Sequence, residues 1–131
     1  MIADDHSQLR QGIRDLLENE YGYEVVGEAG NGLEAVSKAG KTRPDLLITD
    51  MKMPGLDGAE VTKKVKLVSP NTRVIILSMH NNKVYIEKAL EAGASGYVLK
   101  KHADENLQDA ILSVMEGRRY LSPGLEDGHH L

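Results

Sequence analysis

Cysteine is absent from the 131 residues, and so are phenylalanine and tryptophan. The first absence excludes disulfides, a thiolate nucleophile and a zinc ribbon. The second leaves the core to Leu, Ile, Val, Ala and Met with five Tyr, a composition that suits helices packed on a sheet. No run approaches the roughly 18 apolar residues of a membrane span, and no signal-peptide pattern is present. A basic excess is missing as well. Sixteen Lys and Arg against twenty Asp and Glu give a formal charge of -4, which argues against the chain holding a nucleic acid by itself. The expectation is a cytoplasmic protein of one domain without membrane contact.

Four apolar runs read as buried strands: 23–28, 46–49, 74–77 and 96–99, with a fifth suggested by Ile2 and Ala3. Between them the apolar residues recur at helical spacing. Leu9, Ile13, Leu16 and Leu17 form one face, and Leu107, Ala110, Ile111, Val114 and Met115 another. Shorter versions occur at Leu33 and Val36, at Val61, Val65 and Val68, and at Ile86, Ala89 and Leu90. Strand and helix alternate five times, which predicts a doubly wound α/β fold: a five-stranded parallel sheet with helices on both faces. Glu24 and Glu28 suit the second strand to a sheet edge, favouring the flavodoxin-like order 2-1-3-4-5. The first strand is then central although only three residues precede Asp4, so it is expected to be cut short.

In such a sheet, ligands bind beyond the carboxyl ends of the strands, near the switch point between the first and third. The residues there are Asp4, Asp5, Asp50, Ser78 and Lys100. Singly, each has an ordinary role, since an Asp after a strand caps a helix or forms a turn and a lone Lys is solvated. All five at corresponding strand ends make a site. Converging carboxylates require a compensating cation. Oxygen donors, read without imidazole or thiolate among them, select Mg²⁺ or Mn²⁺. Such an ion and Lys100 neutralise a phosphoryl group in transfer, and a carboxylate nucleophile forms an acyl phosphate. Asp50 is the nucleophile candidate, with the pair at 4 and 5 left to hold the metal.

The segments IADDH at 2–6, ITDMKMPGLDG at 48–58, ILSMH at 76–80 and GYVLK at 96–100 resemble, in order and spacing, the signature blocks of CheY-like receiver domains. ADDH, SMH, GASGYVLK and EGRRYLSP at 116–123 make the chain most similar to the NarL/LuxR-type DNA-binding response regulators. The resemblance implies a receiver over 1–120, the start of a linker at 121–124, and a missing C-terminal helix-turn-helix domain. Residues 125–131 resemble vector sequence with part of a histidine tag.

It further implies that Asp50 accepts the phosphoryl group from a sensor histidine kinase. Asp5 binds Mg²⁺ directly, Asp4 chiefly through water, and Asp50 and the backbone carbonyl of Lys52 complete the protein ligands. Ser78 and Lys100 contact the phosphoryl oxygens, and Tyr97 changes rotamer as the loop bearing Ser78 moves. Homodimerisation on phosphorylation is implied, with DNA reached only through the missing domain.

Three positions depart from the general pattern. Lys101 follows Lys100 where most receivers carry Pro, and a Lys–Lys cis peptide, at a cost of about 2.5–4 kcal/mol, is not expected. Lys52 and His80 stand two residues after Asp50 and Ser78, where they are expected to set access of water to the acyl phosphate. Lys52 also occupies the place where an Asp-nucleophile phosphatase needs a second acid, which disfavours an enzyme. Self-catalysed phosphoryl transfer and hydrolysis are the only reactions expected. The alternative function is a stand-alone CheY-like receiver that acts by docking to partners. The loop at 53–58 is read as structural, with Asp57 capping the third helix.

Overall fold

A computed structural model describes residues 1–125. Strand β1 is Ile2–Ala3, β2 Glu28–Ala29, β3 Leu46–Thr49, β4 Arg73–Ser78, β5 Gly96–Leu99 and β6 Tyr120–Leu121. The helices are α1 Ser7–Asp15, α2 Gly32–Thr42, α3 Gly58–Val68, α4 Lys83–Glu91 and α5 Ala103–Met115. A π-helical turn, Leu16–Glu20, prolongs α1, and a 3₁₀ turn, Lys100–His102, leads into α5. All pairings are parallel, in the order β2-β1-β3-β4-β5-β6.

The period-2 alternation of the strands divides the core. Leu47, Val74, Ile76 and Tyr97 face the side covered by α2, α3 and α4. Ile48, Ile75, Leu77 and Val98 face the side covered by α1 and α5, where Ile13, Leu107, Ala110, Ile111 and Val114 meet them. Every one of these side chains is at most 6% exposed, so the central strands are dry on both faces.

The expected order is correct for five strands, and a sixth must be added to it. Ser122 N–H donates to the carbonyl of Tyr97 and Ser122 Oγ accepts from Leu99 N–H, which pairs β6 with the free edge of β5. Residues at 121–122, read from sequence as linker, therefore lie on the sheet, and Leu125 is buried in the core. The remainder of the tag reading lies outside the described residues. The second strand is shorter than expected. Its intended partner β1 has two residues, so of 23–28 only Glu28 joins a ladder, together with Ala29. Leu33, expected on a core face, is 64% exposed, because Ala35, Val36 and Ala39 carry the packing of α2.

The loop after β3 is held by local chemistry. Asp57 accepts from Glu60 N–H at 2.8 Å while Glu60 returns a bond to Asp57 N–H at 3.1 Å, a capping box that starts α3. Gly58 packs so closely on the chain after β3 that a Cβ would collide with the carbonyl of Asp50. Its N–H donates to the carbonyl of Met51 at 2.7 Å.

Candidate functional site

Ladder register delivers the site. Ala3 pairs with Ala29 and Thr49, and Asp50 N–H donates to the carbonyl of Ala3, so Asp4 and Asp50 leave neighbouring strand ends together. Ser78 is paired with Leu99, which places Lys100 one step beyond.

Carboxylate oxygens of Asp4, Asp5 and Asp50 and a ring nitrogen of His6 all lie within 4.8 Å of one another. Asp4 and Asp50 are buried, whereas Asp5 and His6 are exposed. Lys100 Nζ stands 3.0 Å from Asp4 Oδ2 and 3.1 Å from Asp50 Oδ2, at the floor of the cluster. Asp50 Oδ1 accepts from Met51 N–H at 2.7 Å. Burial raises the pKa of Asp50, the Lys100 charge opposes this, and the Asp4 charge reinforces it. Two buried carboxylates therefore share one ammonium, and a third carboxylate lies at the rim. The oxygen-rich donor set fits a hard divalent cation, which would balance the surplus negative charge.

Ser78 is fully buried, and its Oγ accepts from His80 N–H at 3.0 Å. Tyr97 is fully buried too, and its hydroxyl donates to the carbonyl of His80 at 2.7 Å. Burial raises the Tyr97 pKa, opposed by the neighbouring Ser78 hydroxyl. The loop after β4 is thereby latched onto β5. The side chain of Lys52 lies over the ring of Tyr85, 4.8 Å from its centroid, and His80 packs against the same ring at 4.9 Å.

Three participants escaped the sequence reading. His6 corrects the expectation of a cluster without imidazole: its Nδ1 is 3.2 Å from Asp4 Oδ1 and 3.3 Å from Asp5 Oδ1. Its place directly after the acidic pair was the available signal. Arg10 donates through Nη1 to the carbonyl of Asp4 and through Nε to Glu28 at 2.9 Å, tying α1, the end of β1 and β2 together. Tyr85, in the first turn of α4, had no sequence signal, because its role depends on how α4 lies beside the loop bearing Lys52.

The model of the response regulator receiver domain matches residues 1–112. The chain belongs to that family. Its relatives include the response regulator UvrY of Escherichia coli K12, 38% identical over 122 residues, 93% of this chain and 56% of the relative. This receiver thus spans about half the length of the curated relatives it matches. Among solved structures, a LuxR-family two-component response regulator from Aurantimonas sp. SI85-9A1 superposes with a TM-score of 0.91. It is 38% identical, and the match covers 98% of this receiver and 91% of that chain. The Salmonella typhimurium response regulator RcsB, solved in connection with DNA interaction, gives 0.89 at 31% identity, covering 98% of this receiver and 67% of that chain. A further structure holds two RcsB dimers on two parallel DNAs. Among the described residues, no helix of the receiver is long and apolar enough to cross a membrane.

Proposed function

We propose that this receiver is the phosphorylation-activated switch of a two-component system, with Asp50 as the acceptor. The observation that carries the reading is the single buried ammonium of Lys100 shared by Asp4 and Asp50 in a cleft with Asp5. In transfer from a sensor kinase's phosphohistidine, an Asp50 carboxylate oxygen attacks phosphorus while the P–N bond breaks. The donor imidazole keeps the electron pair and takes up a proton. Lys100 then turns from the Asp50 carboxylate to the phosphoryl oxygens, and the Ser78 hydroxyl donates to one of them. Mg²⁺ or Mn²⁺ held by Asp4, Asp5, Asp50 and the Lys52 carbonyl supplies charge neutralisation when bound.

Reversal is hydrolytic: water attacks phosphorus, the acyl O–P bond breaks, and Asp50 regains its carboxylate with release of inorganic phosphate. Lys52 and His80, both packed on Tyr85, set the access of that water. The added charge of about -1.5 to -2 biases the loop after β4, and Tyr97 transmits the change to β5. Output runs through homodimerisation and a C-terminal helix-turn-helix domain joined by a linker that follows β6, the receiver extending beyond residue 120 to include that strand. The partial coverage of UvrY and the DNA-bound RcsB structures support this over a stand-alone receiver in the cytoplasm. A longer native reading frame decides between the two.

The test is intact-mass measurement with acetyl phosphate and Mg²⁺. One phosphate on the wild type and none on Asp50→Asn is expected. No adduct, or an equal adduct on the variant, overturns the assignment.

A further inference from the structure

At the end of the sheet remote from Asp50, a cavity of ≈ 630 Å³ opens among the C-terminal ends of α3, α4 and α5 and the start of β4. The volume falls in the range of small-ligand pockets, roughly 300–1,000 Å³. Its charged lining consists of Lys66, Arg73, Arg118 and Arg119, without an Asp or Glu among the lining residues. In a chain of formal charge -4, that is a local reversal of sign.

Partners are assigned unevenly. Arg118 pairs with Glu116 at 2.5 Å, both exposed. Lys66 Nζ donates to the carbonyl of Thr72 at 2.7 Å, and Arg73 Nη1 to the carbonyl of Val114 at 2.5 Å. A carbonyl occupies one donor and neutralises no charge. Among the described residues, no carboxylate pairs with Lys66, Arg73 or Arg119. Burial lowers the pKa of Lys66, and the Arg73 charge lowers it further, so the two cations stand unbalanced. The helix C-termini that end here carry only about half an elementary charge each and act over one turn. The end of α5 accounts for the Arg73 contact with Val114, whereas Thr72 lies in the loop before β4, and both contacts leave several donors of the ammonium and guanidinium groups unused.

We infer that this cavity is a binding site for a small phosphate-bearing anion, held by Lys66, Arg73 and Arg119. Two guanidinium forks and an ammonium suit an oxyanion with several acceptor oxygens better than a single carboxylate. The site is independent of the chemistry at Asp50, since it lies at the opposite ends of β4 and β5.

Titration of the metal-free protein with sodium pyrophosphate, followed by backbone amide NMR shifts and calorimetry, tests it. Saturable shifts centred on Gly93, Ser95 and Gly117 are expected. Binding should weaken about tenfold or more in Arg119→Ala and in Lys66→Met. Arg119 is exposed and Met keeps the stem of Lys66 against Gly93, so both variants should retain the wild-type unfolding midpoint within a few degrees. Absence of saturable shifts, shifts centred on Asp50 and Met51, or affinity unchanged in both variants overturns the inference.

Discussion

Lys100 Nζ lies 3.1 Å from Asp50 Oδ2, and both side chains are at least nine-tenths buried. The same ammonium is 3.0 Å from Asp4, so one cation holds two carboxylates at the carboxyl ends of the central strands. Removing it leaves two buried negative charges facing each other. Lys100→Met should therefore cost about 3 kcal/mol or more in urea unfolding without divalent cations. Added Mg²⁺ should recover part of that loss. A variant as stable as wild type in metal-free buffer would show that the pair contributes nothing.

Asp50 makes the opposite prediction. Burial raises its pKa in the folded state above the unfolded value, so its ionisation disfavours folding, and stability is lost as pH rises through that interval. Asp50→Asn should be as stable as wild type or more stable at neutral pH without metal. It should also lose most of the Mg²⁺-dependent rise in melting temperature. Thermal unfolding with and without Mg²⁺ reads both effects.

Glu28 contributes through Arg14 and Arg10. The Arg14 hydrogen bond, followed by burial in the opposite sense and then by the Arg10 bond, leaves its pKa lowered. A lowered folded pKa means stability present above the unfolded value and lost as pH falls through the folded one. Glu28→Gln should cost on the order of 1 kcal/mol at pH 7. The difference should shrink as the pH falls through the carboxylate range. A pH-independent difference would locate the effect in packing.

The Tyr97 hydroxyl latches the loop after β4 through the carbonyl of His80. Tyr97→Phe keeps the buried ring and removes the latch, at about 1 kcal/mol. Faster amide hydrogen exchange at Met79 and His80 is the expected signature. Unchanged protection there would mean that the loop is held by Ser78 alone.

Lys52, two residues after the proposed acceptor Asp50, rests on the ring of Tyr85. Lys52→Asn should change the rate of acyl phosphate hydrolysis several-fold with Asp50 phosphorylation intact. Tyr85→Leu, which frees the ammonium from the ring, should change it too. Dephosphorylation measured by mass after removal of acetyl phosphate gives both rates, and equal rates in all three proteins would sink the lifetime role.

Much of the architecture was legible because buried parallel strands read as short apolar runs and the intervening helices keep a 3.6-residue period. The bounds of β3 and β5 match their apolar runs, and Asp57 caps α3 through the expected side-chain bond. β6 was not legible, since Tyr120–Leu121 is too short to show a period and pairs only because the edge of β5 is free. The shortening of β2 likewise depends on the length of its neighbour.

The five acidic, hydroxyl and amine positions at the strand ends were determined by sequence: each follows an apolar run, and the chain's alternation dictates that those runs end on one side. Tertiary structure decided how they share charge. Lys100 divides its ammonium between Asp4 and Asp50, His6 joins the carboxylates, Arg10 braces the end of β1, and Tyr85 gathers Lys52 and His80. These relationships depend on the packing of α1 and α4 beside the sheet. Local sequence sets which side chains leave a strand end, but separation and burial, which govern electrostatic coupling, are properties of the packed layers.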